Sequence, residues 1–379
     1  MVKLGDYVKN SSRKNKNGGC TAVYSVTNSQ GFIPSTEYFS KEVYSKELGT
    51  YKLVDRGMIA YNPSRINVGS VALQDCVDQA IVSPLYVVFS VDDTRLSPEY
   101  VVRFLKSKPG LDQIAFRSIG TVRNNLKFDG LCQMDIAVPA LEVQEQCVIA
   151  LKGIESQKTL AEKYLSKLDE LVKSRFVEMF GGDPVVNPKG FRRSTLGSVI
   201  SVQPSNGLYK PQKDYVTDGT GHPIVRIDSF RPEGPDYVRL KRLNCTDAEL
   251  TRYGLNDGDI VINRVNSIGC MGKTMLICDI PEPVVFESNM MRLHADESQI
   301  LSAFLCAQMT SDYSKEYFES SAKRAIGQAS INQTDVKQLP VLVPDLDIQN
   351  DYLAFVQQVD KLKYGGPSDI CPIRVKCIG

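Results

Sequence analysis

Between Glu142 and Phe180, apolar residues recur at steps of three and four. Leu151, Ile154, Ala161, Leu165, Leu168 and Val172 trace one stripe, with Lys158 its polar member. No proline interrupts these 39 residues and Gly153 is their one glycine. The pattern predicts one amphipathic helix, roughly 58 Å long at 1.5 Å per residue. Gly181-Gly182-Asp183-Pro184 supplies the stop, with glycines just past the last turn and proline after them. A second stripe, Ile348, Tyr352, Phe355, Val359 and Leu362, runs into Tyr364-Gly365-Gly366-Pro367. Both stripes have the spacing of a coiled-coil seam. Segments 1–140 and 185–345 read differently. Short alternating runs such as Thr21 to Val26, Leu85 to Ser90 and Val284 to Phe286 are broken by Gly, Pro, Asn and Asp. Helical stretches at Pro98 to Lys106 and Ser298 to Ser321 accompany them, which predicts mixed α/β globules.

The elements recur in the same order. Pro139, Leu141, Val143 and Gln144 match Pro344, Leu346, Ile348 and Gln349, and Ile154-Glu155 matches Val359-Asp360, each pair 205 positions apart. Gly57, Ile59 and Asn62 match Gly258, Ile260 and Asn263 at a separation of 201, and Ile119-Gly120 echoes Ile326-Gly327. The chain is therefore a two-fold repeat of a globule followed by a helix. A second helix as long as the first would run past residue 379, so a shortened second copy is expected.

Composition adds mainly exclusions. At 42% hydrophobic and 23% charged the 379-residue chain has an ordinary globular make-up, long enough for two domains. Lys+Arg (45) nearly balances Asp+Glu (44), so any nucleic-acid role must use local patches. Lys3 to Lys16, Arg103 to Lys127 and Lys189 to Lys213 are such patches. Ten cysteines contain no Cys-x-x-Cys, and His222 and His294 are the two histidines, which excludes the usual zinc-finger and metalloprotease spacings. Reduced, buried thiols and a cytoplasmic location are expected. Methyltransferase, nuclease and Ser-His-Asp motifs are missing: Asn62-Pro63-Ser64-Arg65 lacks the second proline and the aromatic that hold a target amine. Gly272-Lys273-Thr274 ends like a phosphate loop. That loop needs its first glycine at position 267, which is Ser267, and a helix afterwards, where Met275 to Ile280 reads as a strand. A strand-turn-strand is predicted instead.

The duplicated Pro-x-Leu-x-x-Gln segments, the long helix running into Met179-Phe180-Gly181-Gly182-Asp183-Pro184, and "LGDYV" (Leu4 to Val8) echoed by "LGSVI" (Leu196 to Ile200) resemble the specificity subunits of type I restriction-modification systems. The resemblance covers residues 1 to about 363. It implies target recognition domains at 1–140 and 185–345, a central coiled-coil helix at 141–184, a shortened second helix at 346–363 and an irregular tail at 364–379. It further implies that each globule reads one half of a split site in double-stranded DNA. The antiparallel helices then set half-site spacing and dock two modification subunits, which bind S-adenosylmethionine and methylate adenine. A restriction subunit using ATP and Mg can join them. The chain itself would bind no cofactor or metal, would have no catalytic residue and would touch no membrane.

Base reading needs planar donors and acceptors on loops and strand ends: Arg for guanine, Asn or Gln for adenine. In the first globule Tyr61, Asn62, Arg65, Asn67, Arg117, Arg123, Asn124 and Asn125 fit that need. In the second, Asn263, Arg264, Asn266, Lys273, Lys323, Arg324, Gln328, Asn332 and Gln333 do. Leu151, Ile154, Leu165, Leu168, Val172, Tyr352, Phe355, Val359 and Leu362 are expected to form the helix pair and its partner-docking surface. Two other readings fit the same pattern, a coiled-coil protein scaffold without DNA specificity and a specificity subunit inactivated by its short second helix. The shortening predicts weaker docking of one modification subunit, or a bundle completed by a second copy.

Overall fold

The computed structural model describes residues 1–16, 18–38, 47–118, 125–230, 234–325 and 328–364. It divides into two compact units, Met1–Leu160 and Ala161–Gly379.

In unit 1, four strands form an antiparallel sheet: β1 (Val8–Asn10), β2 (Ile59–Tyr61), β3 (Val71–Leu73) and β4 (Val87–Val91), in the order β1-β4-β2-β3. Strand β2 is apolar at every position because both of its faces are covered. Ile59 and Tyr61 face one core cluster with Leu96, Val101 and Ile114, while Ala60 faces another with Val54 and Val82. Helices α1 (Pro98–Lys106), α2 (Lys108–Arg117) and α3 (Phe128–Cys132) supply the first cluster. Ser97 and Ser107 cap the first two helices, accepting from Tyr100 N and Gly110 N, with proline in each first turn.

Unit 2 repeats this plan. Strands β5 (Ile200–Asn206), β6 (Asp259–Asn263), β7 (Thr274–Leu276) and β8 (Met290–Ala295) pair antiparallel in the order β5-β8-β6-β7, the same order by chain position. Ile260 and Ile262 of β6 face one cluster and Val261 faces the other. Helices α5 (Ser302–Met309), α6 (Asp312–Ser321) and α7 (Gln333–Lys337) correspond to α1, α2 and α3. The matching edges are also kept: Leu4 N donates to Met134 O in unit 1 and Leu196 N to Leu339 O in unit 2.

The long helix, α4, spans Leu141–Phe180, and the closing helix, α8, spans Leu346–Tyr364. Within unit 2 they run antiparallel. Tyr352 packs against Phe176 and Phe180, and eleven residues further along α8 Lys363 forms an ion pair with Asp169. Val172, Phe176, Tyr352, Val356 and Val359 are the buried part of this pair, with Leu168 and Phe355 half-buried beside them. The expected seam needs correction at its ends. Leu151, Ile154 and Leu165 are 42%, 65% and 40% exposed, and Leu362 is 73% exposed on the outer side of α8. The tail from 365 lies outside the described residues. The long helix ends as its glycines predict, Gly181 and Gly182 both having positive φ (87° and 76°) and Gly181 N bonding Val177 O at 2.7 Å. Among the described residues no helix is long and apolar enough to cross a membrane.

Candidate nucleic-acid interface

The loop after each central strand is the part of each unit that gathers polar side chains. In unit 2, β6 leads into Val265–Asn266, a 3-10 turn at Ile268–Cys270 and a turn at Gly272 (φ 70°) before β7. A Cβ at Gly272 would stand 2.4 Å from the ring of buried Phe318, so the turn is pressed against α6 and only glycine fits. The strand-turn-strand expected for Gly272-Lys273-Thr274 is what the structure shows, with Lys273 exposed at the turn.

A segment sixty residues further on closes over this loop. Lys323–Ala325 and Gln328–Ser330 pair as a ribbon, and Val265–Asn266 adds a third strand. One row across the strands holds Asn266, Ala329 and Arg324; the next holds Val265, Ser330 and Lys323. Adjacent rows point to opposite faces. Ala329 is buried, so its row turns toward the globule, and the opposite face carries exposed Lys323 and Gln328. Arg324 stays exposed at the edge. Arg264 holds the assembly together: its N donates to Asn289 O, its O accepts from Ile331 N, and its Nη1 donates to Ser288 O at 3.1 Å.

Unit 1 brings the corresponding loop and segment together. Asn62 Oδ1 accepts from Ser64 N at 3.0 Å, Ser64 Oγ donates to Asn125 Oδ1 at 2.5 Å, and Leu126 N donates to Pro63 O. Arg65 and Asn67 are exposed on the same loop. Ser64 was not among the expected residues, and its position between Asn62 and Arg65 was the available signal.

Several expected residues have other roles. Tyr61 is fully buried, its ring edge-on to Phe89 and its hydroxyl donating to Leu126 O at 3.1 Å. Burial pushes its phenol well above the usual range. Asn263 is fully buried too, and neither its Nδ2 nor its Oδ1 has a partner among the described residues. Both are corrections: a side chain sealed beneath the sheet cannot reach a groove. Asn332 caps α7, its Oδ1 accepting from Thr334 N (2.7 Å) and Asp335 N (3.1 Å) while Asp335 returns a bond to Asn332 N. Gln333 is exposed in the first turn that Asn332 caps. Arg117 is half-buried and ion-paired with Asp135 at 3.6 Å. The Lys3 hydrogen bond to Asp135, with the Lys3 and Arg117 charges, holds that carboxyl below the usual carboxylate range. Arg123 and Asn124 lie outside the described residues.

The basic stretches are partly neutralised. Arg13 pairs with Asp55, Lys3 with Asp135, and Lys210 with Glu249. His294 lies in β8 with its Nδ1 2.9 Å from buried Asp259 Oδ1, a contact inside the sheet. Among the described residues no three His, Cys, Asp or Glu side chains converge to hold a metal.

Residues 188–365 match the family model of the type I restriction modification DNA specificity domain. That segment, most of the second repeat, carries the type I restriction modification DNA specificity domain. It is 26% identical over 276 residues to the StySPI specificity subunit of Salmonella potsdam, covering 70% of this chain and 58% of that one. It is 26% identical over 284 residues to the EcoKI specificity subunit of Escherichia coli, covering 69% and 58%. The chain thus spans 58% of the length of these two relatives. Its fold is shared with a chain solved in a study of complex assembly and conformational transition of the type I restriction-modification system, at 17% identity, TM-score 0.57 and 96% and 91% coverage. It is shared also with the S subunit from M. genitalium, at 12% identity, TM-score 0.54 and 96% and 89% coverage.

Proposed function

We propose that this chain is the DNA-reading subunit of a type I restriction-modification complex, each unit reading one half of a split site. The observation that carries this reading is the repeated loop-plus-segment arrangement. In each unit a loop after the central strand meets a segment from about sixty residues away, and together they expose Asn, Gln, Arg and Lys side chains on a buried apolar support. The major groove admits a β-ribbon, and Gln to adenine or Arg to guanine are bidentate fits. In unit 2 the outer ribbon face, Lys323 and Gln328, would approach the bases, with Arg324 and Lys273 alongside. In unit 1, Asn62, Arg65, Asn67 and Asn125 would do so.

The helices are proposed to set the separation of the half-sites and to dock two modification subunits. The large apolar side chains exposed along one face of the long helix, Leu151, Ile154 and Leu165, support this, since such a stripe is stabilised when another protein covers it. Methyl transfer from S-adenosylmethionine would belong to the modification subunits, and ATP and Mg to a restriction subunit.

Fluorescence anisotropy across a salt series, with a modification subunit present, tests the reading. Salt-sensitive, sequence-dependent binding is expected, and its absence sinks the proposal. Methylome sequencing of the host with and without the gene then identifies the site: a split adenine-methylated motif should vanish with the chain.

A further inference from the structure

Gln144 and Gln349 stand in the first turn of the two helices, and both are fully buried. Gln144 Nε2 donates to Arg95 O (3.1 Å) and Pro139 O (2.8 Å), and its Oε1 accepts from Ser97 N (2.8 Å). Gln349 Nε2 donates to Gln299 O (3.1 Å) and Pro344 O (2.8 Å), and its Oε1 accepts from Leu301 N (2.9 Å). The two sets agree to within 0.1 Å.

Each amide therefore joins three pieces of chain: the loop entering α1 or α5, the proline linker, and the helix that leaves the globule. All six partners are backbone atoms, so the geometry survives the change from Arg95 to Gln299 and from Ser97 to Leu301. Volume alone could be filled by Leu or Met. A buried amide, by contrast, is directional, and it holds its partners in one orientation only while both donors and the acceptor are satisfied.

We infer that Gln144 and Gln349 are positioning residues for DNA reading. Each fixes the angle between its globule and the following helix, and with it the half-site separation the protein accepts. The inference rests on the DNA-reading proposal.

The test uses the full chain with its modification subunit and duplexes selected from a library with two randomised segments and a variable spacer. For the wild type, affinity for the selected spacer is compared with spacers one base pair longer and shorter. In Gln144→Met and Gln349→Met this preference should collapse toward a ratio of one, while affinity at the selected spacer falls by about tenfold or less. Gln144→Asn keeps the amide and shortens its reach, so the three bonds cannot all be made, and it decides the matter if the methionine variant does not fold. Variants that bind with the wild-type spacer preference overturn the inference. If the wild type selects no split site, the reading function fails instead. The latch is then judged by spin-label distances between non-canonical residues at Lys9 and Gln157. The Gln144→Met distribution should broaden, and an unchanged width overturns the latch.

Discussion

Replacing Phe180 by alanine should unlock the helix pair of unit 2. The ring is fully buried at the end of the long helix. Its centroid lies 4.9 Å from Phe304, 5.0 Å from Phe176, 5.6 Å from Tyr352 and 5.8 Å from Phe191. These neighbours come from α5, the long helix itself, α8 and the segment before β5, so no single movement can refill the hole. Phe→Ala at such a site costs about 3–5 kcal/mol through lost transfer energy and the residual cavity. Tilted and edge-on ring pairs, each worth about 0.5–1.5 kcal/mol, place the expected value at the upper end of that range. For a unit of this size a kilocalorie corresponds to roughly 2–4 °C, so the unit 2 transition should fall by about 10 °C or more. Calorimetry gives the shift, and hydrogen exchange locates it. Protection should be lost in peptides covering 346–364 and 168–180 and kept in β2 and β4 of unit 1. A shift below about 3 °C, or equal loss of protection in both units, would refute the packing argument. Phe180→Leu should recover most of the loss by refilling volume.

Asn263→Leu should leave DNA affinity unchanged and raise unit 2 stability by about 1 kcal/mol, because it removes two buried unpaired polar atoms; urea unfolding and anisotropy check both halves of this. Glu287 is buried, and desolvation raises its carboxyl above the usual range, against the Ile227 N bond and the Arg226 charge. A raised carboxyl costs stability as pH rises past the unfolded value, so the stability of Glu287→Gln relative to wild type should grow between pH 4 and pH 7 in denaturant titrations; a flat difference contradicts the assignment. Lys273→Ala and Lys323→Ala should weaken binding to all sequences alike and lower the slope of log K against log salt by about 0.9 each, in anisotropy at several salt concentrations. Gln328→Ala should instead relax discrimination in one half-site only, by about 1–3 kcal/mol, measured on single-base variants of the selected duplex.

Local chemistry made much of this fold legible in the chain. The long proline-free helix, the Gly181-Gly182 stop and the glycine turn before Lys273 all depend on a few neighbouring residues, and the structure places each as expected. Asn332-x-x-Asp335 is a capping box that could have been recognised before Asn332 was assigned to DNA. Other facts belong to tertiary structure alone. Tyr61 and Asn263 sit at strand ends where loops begin, and only the covering of both sheet faces decides that they are buried. Arg117 becomes committed to Asp135 because folding brings them together. Leu362 keeps the heptad pattern yet faces outward, since a period specifies a stripe and not what covers it. The glutamine in Pro-x-Leu-x-x-Gln is plain in the sequence, whereas two of the three partners of Gln144, Ser97 and Arg95, lie 47 and 49 residues upstream. Short-range pattern thus determined the elements, their order and their duplication. The meeting of 264–266 with 323–330, and of Asn62 with Asn125, came from long-range packing, because hydrogen bonds and burial across such separations form only once the sheets and helices enclose a common core.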